Sequence, residues 1–313
     1  MNALLFPGQG SQVVGMGKEF YEKFDLVKRI FKKADDKLNF PISKLILDGP
    51  EEKLQLTQNT QPAILTVSYS IFKVLKEEFN FNFQSFKYFA GHSLGEYSAL
   101  VCSNSLEYTD ALYLLNERGK AMQEAVPLGD GSMIAVLGSN LIEINNLIKN
   151  LDHKKNVCEI ANDNAEGQVI ISGNKKSIDS FKLILKEKKI KTIPLKVSAP
   201  FHCTLMKPAA EIMKEKINKV VFTQPKFEII NNVTANSEIN PTNIKNLLIK
   251  QIYSTVRWRE SIINISKNNV TNFIEIGPGK ALTGMVKRTV KNVNSFSINS
   301  IVDIKSLINE LKK

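Results

Sequence analysis

The chain has 313 residues, 43% of them hydrophobic, which is enough for one large domain or for a large and a small one. Its three cysteines, Cys102, Cys158 and Cys203, are widely spaced, so we expect neither a disulfide framework nor a metal site. No apolar run approaches the ~18 residues of a membrane helix, and the first residues predict a strand rather than a secretory signal, which favours a cytoplasmic protein without a membrane partner. The formal charge of +11 comes mostly from dispersed lysines without a nucleic-acid-binding signature; it indicates either an acidic partner or background lysine enrichment.

The first third of the chain predicts strands and helices joined by glycine-containing loops. A short strand over 3–6 leads into loop 7–12, whose glycines let backbone N–H groups approach a ligand; a dinucleotide fingerprint would need a third glycine at Val13. Helices are predicted over 18–37 and 51–54, and a turn over 57–62 leads into a helix over 63–79. A further helix over 108–124 contains Arg118 among apolar and small residues, a pattern that favours a surface position over a buried anion site.

Segment 87–100 carries a G-x-S-x-G pattern in which Ser93 stands between Gly91 and Gly95. An apolar strand enters this segment and a helical one leaves it, so the glycines permit a tight turn that exposes the serine hydroxyl. The first N–H groups of the helix can then stabilise negative charge on the group that the serine attacks. The pattern predicts a nucleophilic Ser93, and an ordinary strand-to-helix turn is the alternative.

The pattern changes after residue 129 and predicts a small inserted subdomain. Strands over 132–137, 156–162, 168–172 and 190–197 alternate with helices over 141–151 and 175–188. This βαββαβ order is that of a ferredoxin-like unit, which we place at 130–198.

The last third returns to alternating strands and helices. Helices are predicted over 205–219, 244–253, 258–267, 282–291 and 301–311, and strands over 227–231, 272–276 and 295–298. Because such alternation lies on both sides of the insert, the expected fold is α/β: one parallel-sheet domain from segments 1–129 and 199–313, interrupted by the subdomain.

A serine nucleophile needs a base with a pKa near neutrality, and the chain has three histidines. The side chain of His92 should diverge from that of its neighbour Ser93, and His153 lies in a charged, solvated segment. His202 is therefore the predicted base. No aspartate between Ser93 and His202 (Asp110, Asp130, Asp152, Asp163 or Asp179) is expected at a strand end of the large domain. A carbonyl oxygen can orient the imidazole instead, so a missing acid does not exclude this base. Cys203 beside His202 is an alternative nucleophile, although a semi-buried small residue is the favoured interpretation.

Eight ordered stretches together resemble one enzyme family. They are PGQGSQ at 7–12, TQPA at 60–63, GHSLGEYSAL at 91–100, RGKAMQ at 118–123, GSMIAVLG at 131–138, NDNAEGQVIISG at 162–173, FHCTLMKPA at 201–209 and EIGPGKALTGM at 275–285. Over essentially its whole length the chain resembles the malonyl-CoA:acyl-carrier-protein transacylases of bacterial fatty-acid synthesis. The resemblance implies a hydrolase-like α/β core with the ferredoxin-like insert.

The resemblance also implies a mechanism. Ser93 would attack the malonyl thioester, His202 would take its proton, and the carrier's pantetheine thiol would then reverse the steps in a ping-pong cycle that supplies fatty-acid chain extension. The backbone N–H groups of Gln9 and Leu94 would form the oxyanion hole, and the backbone carbonyl of Gln251 would orient His202.

The resemblance further implies how the substrate is chosen. Arg118 would pair with the free carboxylate of malonate, which outweighs the surface position favoured by pattern alone, and Gln61 and Asn162 match positions that line the site. Leu94 and Phe201 would crowd an α-methyl group. Malonyl-CoA, CoA and an acidic acyl carrier protein are the implied partners of a monomeric enzyme without cofactor or metal.

Lysines at 182, 186 and 189 lie on one face of a predicted helix that also neighbours Lys175, Lys176, Lys188 and Lys191. This face either steers an acidic carrier or is a solvated surface. The rival functions are a serine esterase or thioesterase, against which Arg118 and the Gln9 loop argue, and a charge-recruited nucleic-acid or scaffold protein, which leaves Ser93 and His202 unexplained.

Overall fold

The computed structural model describes residues 1–151, 157–197 and 199–311. Two sheets organise these residues. The larger has the strand order β10-β9-β1-β2-β7-β8, and the smaller has the order β4-β5-β3-β6. The strands are β1 Asn2–Phe6, β2 Phe86–Gly91, β3 Gly131–Leu137, β4 Cys158–Ala165, β5 Gln168–Asn174, β6 Lys191–Pro194, β7 Glu228–Ile230, β8 Ser237–Glu238, β9 Asn272–Ile276 and β10 Asn294–Ile298.

Helices cover both faces of the larger sheet and one face of the smaller sheet. They are α1 Lys18–Lys23, α2 Asp25–Leu38, α3 Ile42–Asp48, α4 Glu51–Leu54, α5 Thr57–Glu77, α6 Gly95–Cys102, α7 Tyr108–Glu124, α8 Leu141–Lys149, α9 Lys175–Glu187, α10 Lys207–Lys219, α11 Pro241–Gln251, α12 Trp258–Lys267, α13 Ala281–Thr289 and α14 Ile301–Leu311, with a short 3₁₀ turn at Thr204–Met206.

Strand β1 lies at the centre of the larger sheet and is buried throughout. It pairs in parallel with β2 on one side and β9 on the other. Leu4 and Phe6 pack into an apolar cluster with α5 and α7, whereas Ala3 and Leu5 pack into a second cluster with α12 and α13. After Asn2 the strand is therefore apolar from Ala3 to Phe6, as expected of a strand that is covered on both faces. Within the larger sheet, the edge strand β8 pairs with β7 in the antiparallel direction, whereas the other strands pair in parallel. This sheet is therefore mixed, and the fold is α/β, as predicted.

The smaller sheet is antiparallel, and its elements follow the βαββαβ order that the sequence predicts. Strand β4 also contacts the larger unit: the N–H of Val256 donates to the carbonyl of Ala161, and the N–H of Asp163 donates to the carbonyl of Val256. The pairing of β4 with β5 shifts register at Ala161, between Ile160 and Asn162. Asn162 itself forms an isolated parallel bridge with Val256 of the larger unit. The limits of the inserted subdomain, placed at 130–198 from the sequence, stay a prediction.

Two predicted helices differ from those in the structure. The helix expected over 18–37 is interrupted at Phe24, whose extended backbone (φ −119°, ψ 118°) lets its ring pack against Phe20 and Phe79. The turn expected over 57–62 is the first part of α5, which continues through Pro62. Proline cannot donate to the carbonyl of Gln58 four residues earlier, and the side chain of Asn116 donates to that oxygen instead, at 3.0 Å. A neighbouring helix therefore replaces the bond that proline removes.

The structure also contains two elements that the sequence analysis did not predict, helix α3 and edge strand β8. Across the described ranges, no helix combines the length and the apolar character that crossing a bilayer requires.

Candidate active site

The G-x-S-x-G segment forms the tight turn between β2 and α6. Ser93 has a φ of 54°, in the left-handed region that residues with a side chain rarely occupy. A Cβ atom on Gly91 would lie 1.8 Å from the carbonyl carbon of Gly95, and one on Gly95 would lie 2.3 Å from the carbonyl oxygen of Phe6. Glycine at both positions therefore lets β1, β2 and α6 converge on the serine.

His202 is hydrogen-bonded to Ser93. Its Nε2 lies 2.8 Å from the Oγ of Ser93, and its Nδ1 lies 2.8 Å from the backbone carbonyl oxygen of Gln251. Because a carbonyl oxygen only accepts, Nδ1 carries the proton and Nε2 is free to accept the serine proton. Burial, together with the positive charge of Arg118, lowers the pKa of His202 to about 3, so the imidazole is neutral at physiological pH.

The other histidines do not contact Ser93 in the described residues. The Nε2 of His92 lies 2.8 Å from the Oδ1 of Asn164, so its ring turns toward the smaller sheet. Burial lowers the pKa of His92 as well. His153 falls outside the described residues.

Asp110, Asp163 and Asp179, which lie between Ser93 and His202 in the sequence, have basic partners in the structure. Asp163 accepts a hydrogen bond from Arg259 at 2.9 Å, and Asp179 lies 3.5 Å from Lys175. Asp152 falls outside the described residues. The group that orients His202 is the Gln251 carbonyl, so the imidazole needs no acidic partner.

Arg118 is 1% exposed, so the surface position favoured by the helical pattern is wrong. Its Nη1 donates to the Oε1 of Gln61 at 2.8 Å, and its Nη2 donates to the Oε1 of Gln251 at 2.9 Å and to the Oγ of Ser93 at 3.1 Å. These are neutral acceptors, and the buried Nε has no hydrogen-bond partner in the described part of the chain. Desolvation lowers the pKa of Arg118. The site thus holds a guanidinium with unused donors beside the serine.

The N–H groups of Gln9 and Leu94 flank the serine from two loops. Both residues line the cavity that contains Ser93, and neither N–H donates to another group within residues 1–151, 157–197 and 199–311. Two free backbone donors near a nucleophile have the composition of an oxyanion hole.

Ser93, His202 and Arg118 line a cavity of about 260 Å³ between the two sheets. Its walls include all the predicted site residues apart from Gln251, together with side chains that were not predicted to line the site: Gln12, Gln55, His92, Met122, Met133, Leu195, Lys196 and Val197. A second groove of about 840 Å³ also reaches His202 but contains neither Ser93 nor Arg118. The smaller cavity is therefore the one that brings Ser93, His202 and Arg118 together.

Sequence reasoning missed a buried polar network behind the serine. Glu96 is fully buried, and its carboxylate accepts hydrogen bonds from the side chains of Asn231 and Gln251 and from the backbone N–H of Asn232. Burial raises the pKa of Glu96 to about 7 against the effect of these donors and of Arg118. The signal was present in the sequence, since Glu96 is the one charged residue in the apolar segment GEYSALVC.

Cys203 does not share the environment of the serine. Its side chain is fully buried, and its thiol donates to the carbonyl of Pro200 at 3.1 Å. Burial raises the pKa of Cys203 to about 11, which keeps it in the unreactive thiol form.

Comparison with known proteins places this geometry in a family. The sequence of residues 3–308 matches the family model of the acyl transferase domain. A malonyl CoA-acyl carrier protein transacylase of Bacillus subtilis (strain 168) is 42% identical over 312 residues, which are 99% of this chain and 97% of that protein.

Solved structures agree. An acyl-carrier-protein S-malonyltransferase from Bartonella henselae superposes with a TM-score of 0.96 at 39% identity, covering 100% of this chain and 99% of that one. A malonyl-transacylase solved in complex with its type II polyketide acyl-carrier protein superposes with a TM-score of 0.94 at 37% identity, and 99% of each chain is covered. The chain is therefore an acyltransferase and belongs, within the acyl transferase domain family, to the malonyl CoA-acyl carrier protein transacylases.

Proposed function

We propose that this chain transfers the malonyl group of malonyl-CoA to the pantetheine thiol of an acyl carrier protein through a malonyl ester on Ser93. The observation that carries the proposal is Arg118, a buried guanidinium with unused donors 3.1 Å from the serine hydroxyl. A planar cation in that position fits an acyl group that ends in a free carboxylate.

The chemistry of the first half-reaction follows from the hydrogen bonds of the site. The Oγ of Ser93 attacks the thioester carbonyl while the Nε2 of His202 takes its proton, and the N–H groups of Gln9 and Leu94 stabilise the oxyanion. The tetrahedral intermediate then breaks its carbon–sulfur bond, and the proton on His202 passes to the departing CoA sulfur. The carrier thiol next attacks the serine ester and gives its proton to His202. The ester carbon–oxygen bond then breaks, His202 returns the proton to the Oγ of Ser93, and the carrier leaves with the malonyl group.

The remaining parts of the proposal concern architecture and setting. The larger sheet is a hydrolase-like core, the smaller sheet is a ferredoxin-like subdomain, and the enzyme acts as a cytoplasmic monomer without cofactor or metal. Leu94 and Phe201 crowd an α-methyl group on the substrate, since both line the cavity.

Product analysis separates a transferase from a thioesterase. With malonyl-CoA and holo carrier protein, we expect malonyl-carrier as the main product and stoichiometric release of CoA. Without a thiol acceptor, CoA release should stop after one equivalent apart from slow hydrolysis. Free malonate released at the same rate with and without the carrier would identify a thioesterase instead.

The pKa of His202 predicts an unusual pH profile. A general base must be neutral, and a pKa lowered to about 3 keeps His202 neutral as the pH falls through the ordinary histidine value of 6.5. We expect the rate of acetyl loading from acetyl-CoA, which involves no substrate carboxylate, to change less than about threefold between pH 8 and pH 5. An unperturbed histidine would lose about 30-fold over the same range. A rate that halves near pH 6.5 would contradict the assignment of a buried, neutral base.

A lysine-lined groove on α9 and β6 is the proposed docking surface for an acidic carrier. Its volume is about 620 Å³, and Leu183 and Ile190 supply apolar surface within it. Strand β6 runs from this groove directly into residues 195–197, which line the catalytic cavity. Its basic side chains are Lys182, Lys186, Lys189 and Lys191.

Charge reversal tests this docking surface. We expect Lys182, Lys186 and Lys189 together replaced with Glu to raise KM for carrier protein about tenfold and to flatten its salt dependence. Malonyl loading from malonyl-CoA should stay near the wild-type rate. Lys28, Lys32 and Lys33 on α2, reversed in the same way, are the matched control for net charge. An equal defect in malonyl loading would assign the lysines to CoA phosphates, and an unchanged KM would leave them as solvated surface.

A further inference from the structure

Glu96 is a buried carboxylate to which the proposed transfer chemistry assigns no role. It lies in the first turn of α6, three residues after Ser93, and has no exposed surface. Its Oε1 accepts from the Nδ2 of Asn231 at 2.6 Å, and its Oε2 accepts from the Nε2 of Gln251 at 2.8 Å and from the N–H of Asn232 at 3.1 Å. All three partners are donors. An ionised carboxylate, which only accepts, satisfies them together.

The side-chain amide of Gln251 connects this carboxylate to the substrate-binding guanidinium. Its Nε2 faces Glu96, and its Oε1 accepts from the Nη2 of Arg118 at 2.9 Å. The same Nε2 also donates to the carbonyl of Ser93 at 3.1 Å and approaches the Oδ1 of Asn232 at 3.3 Å. Glu96 is the charged acceptor among the three and makes the shortest of these bonds. It therefore holds the amide with its oxygen toward Arg118.

A second connection runs from Glu96 to the serine turn. Asn232, whose N–H donates to Glu96, uses its side chain to accept from the N–H of Ser93 at 2.7 Å and to donate to the carbonyl of Gly91 at 2.7 Å. The carboxylate thus supports both the turn that presents the nucleophile and the amide that orients the guanidinium.

We propose that Glu96 is a positioning residue that sets which substrates the enzyme loads, because it fixes the Gln251 amide and, through that amide, aims Arg118 at the substrate carboxylate. This inference rests on the proposed function, in which Arg118 binds the carboxylate of the malonyl group.

Glutamine at position 96 would break this arrangement while keeping its shape. One end of a glutamine amide is an NH₂ group, which is a donor. In one orientation this NH₂ group would face the NH₂ group of Asn231, and in the other it would face that of Gln251, so two donors would meet in either case. Rotation of the Gln251 amide would relieve the second clash, but it would turn an NH₂ group toward Arg118. In the first arrangement a neutral oxygen, rather than a charged one, holds the Gln251 amide toward Arg118, and in the second the guanidinium faces a donor.

The test compares loading of Ser93 from malonyl-CoA and from acetyl-CoA, followed by intact mass at pH 8, where Glu96 is ionised because its pKa is about 7. For Glu96→Gln we expect malonyl loading to fall about 30-fold and acetyl loading to fall less than about threefold, in line with the loss of one charged hydrogen bond. Glu275→Gln is the matched control. Glu275 is a second fully buried carboxylate, and it accepts from the N–H groups of Leu282 and Thr283 at the start of α13. Its replacement should lower stability and leave the malonyl-to-acetyl ratio unchanged.

A double-mutant cycle with Arg118→Ala separates this inference from the proposed function. If Glu96 acts through Arg118, Glu96→Gln will lower malonyl loading no further once Arg118 is alanine. Equal losses for both acyl groups, or an additive loss in the Arg118→Ala background, would overturn the positioning role. An unchanged malonyl preference in Arg118→Ala alone would instead overturn the proposed function. Should Glu96→Gln fail to fold, Glu96→Asp shortens the carboxylate by one methylene and must show the same fall in ratio and the same dependence on Arg118.

Discussion

Arg118→Ala should lower kcat/KM for malonyl-CoA by at least about 100-fold and that for acetyl-CoA by less than about tenfold. The loss for malonyl-CoA is large because its carboxylate would enter a buried site without a cation, where it loses its hydration and gains no partner. Charged hydrogen bonds contribute about 1.5 to 3 kcal/mol each. The acetyl group makes no such contact, so the smaller fall in kcat/KM for acetyl-CoA reflects only the missing hydrogen bond from Arg118 to the Ser93 hydroxyl. Steady-state transfer to a carrier protein, measured with each acyl-CoA, gives both values.

Two further variants sharpen that comparison. Arg118→Lys keeps the charge but not the planar set of donors that reaches Gln61 and Gln251, so it should recover only part of the malonyl activity. Arg288→Ala removes an exposed guanidinium that donates to Gln168, and it should leave both substrates unaffected. Losses of equal size for malonyl-CoA and acetyl-CoA in Arg118→Ala would mean that the guanidinium supports the serine rather than the substrate carboxylate.

Features that depend on local chain chemistry could be predicted from the sequence. Strand β2 and helix α6 are both apolar, and two glycines that tolerate no Cβ atom join them, so the turn around Ser93 follows from the residues themselves. Helix α7 has the predicted bounds because its sequence is rich in helix-forming residues such as Ala, Leu, Glu and Lys.

Features that depend on a distant partner could not be predicted in the same way. In the sequence, Pro62 indicates the end of a turn. In the structure, Asn116 from another helix donates to the Gln58 carbonyl that proline cannot reach with an N–H, so the helix continues through Pro62. Arg118 has the pattern of a surface residue because the amide oxygens of Gln61 and Gln251, which replace its hydration, lie far away in the sequence. For the same reason the pattern alone pointed to the wrong environment for this residue, and only the family resemblance indicated its burial.

Ser93→Ala has the largest expected effect. Removal of the hydroxyl takes away the atom that forms the ester and leaves only the binding groups and the oxyanion donors, so transfer should fall by about a thousandfold or more. The alanine side chain fits the turn without a new clash, although the left-handed backbone at this position remains. The folded fraction, followed by circular dichroism, should therefore stay close to that of the wild type.

The mass of the intact protein after brief incubation with malonyl-CoA, without carrier protein, tests the covalent intermediate most directly. We predict the addition of one malonyl group, its location on Ser93 by peptide mapping, its complete absence in Ser93→Ala, and its loss when holo carrier protein is added. An unmodified mass under conditions that support transfer, an adduct that persists in Ser93→Ala, or an adduct located on Cys203 would contradict the account.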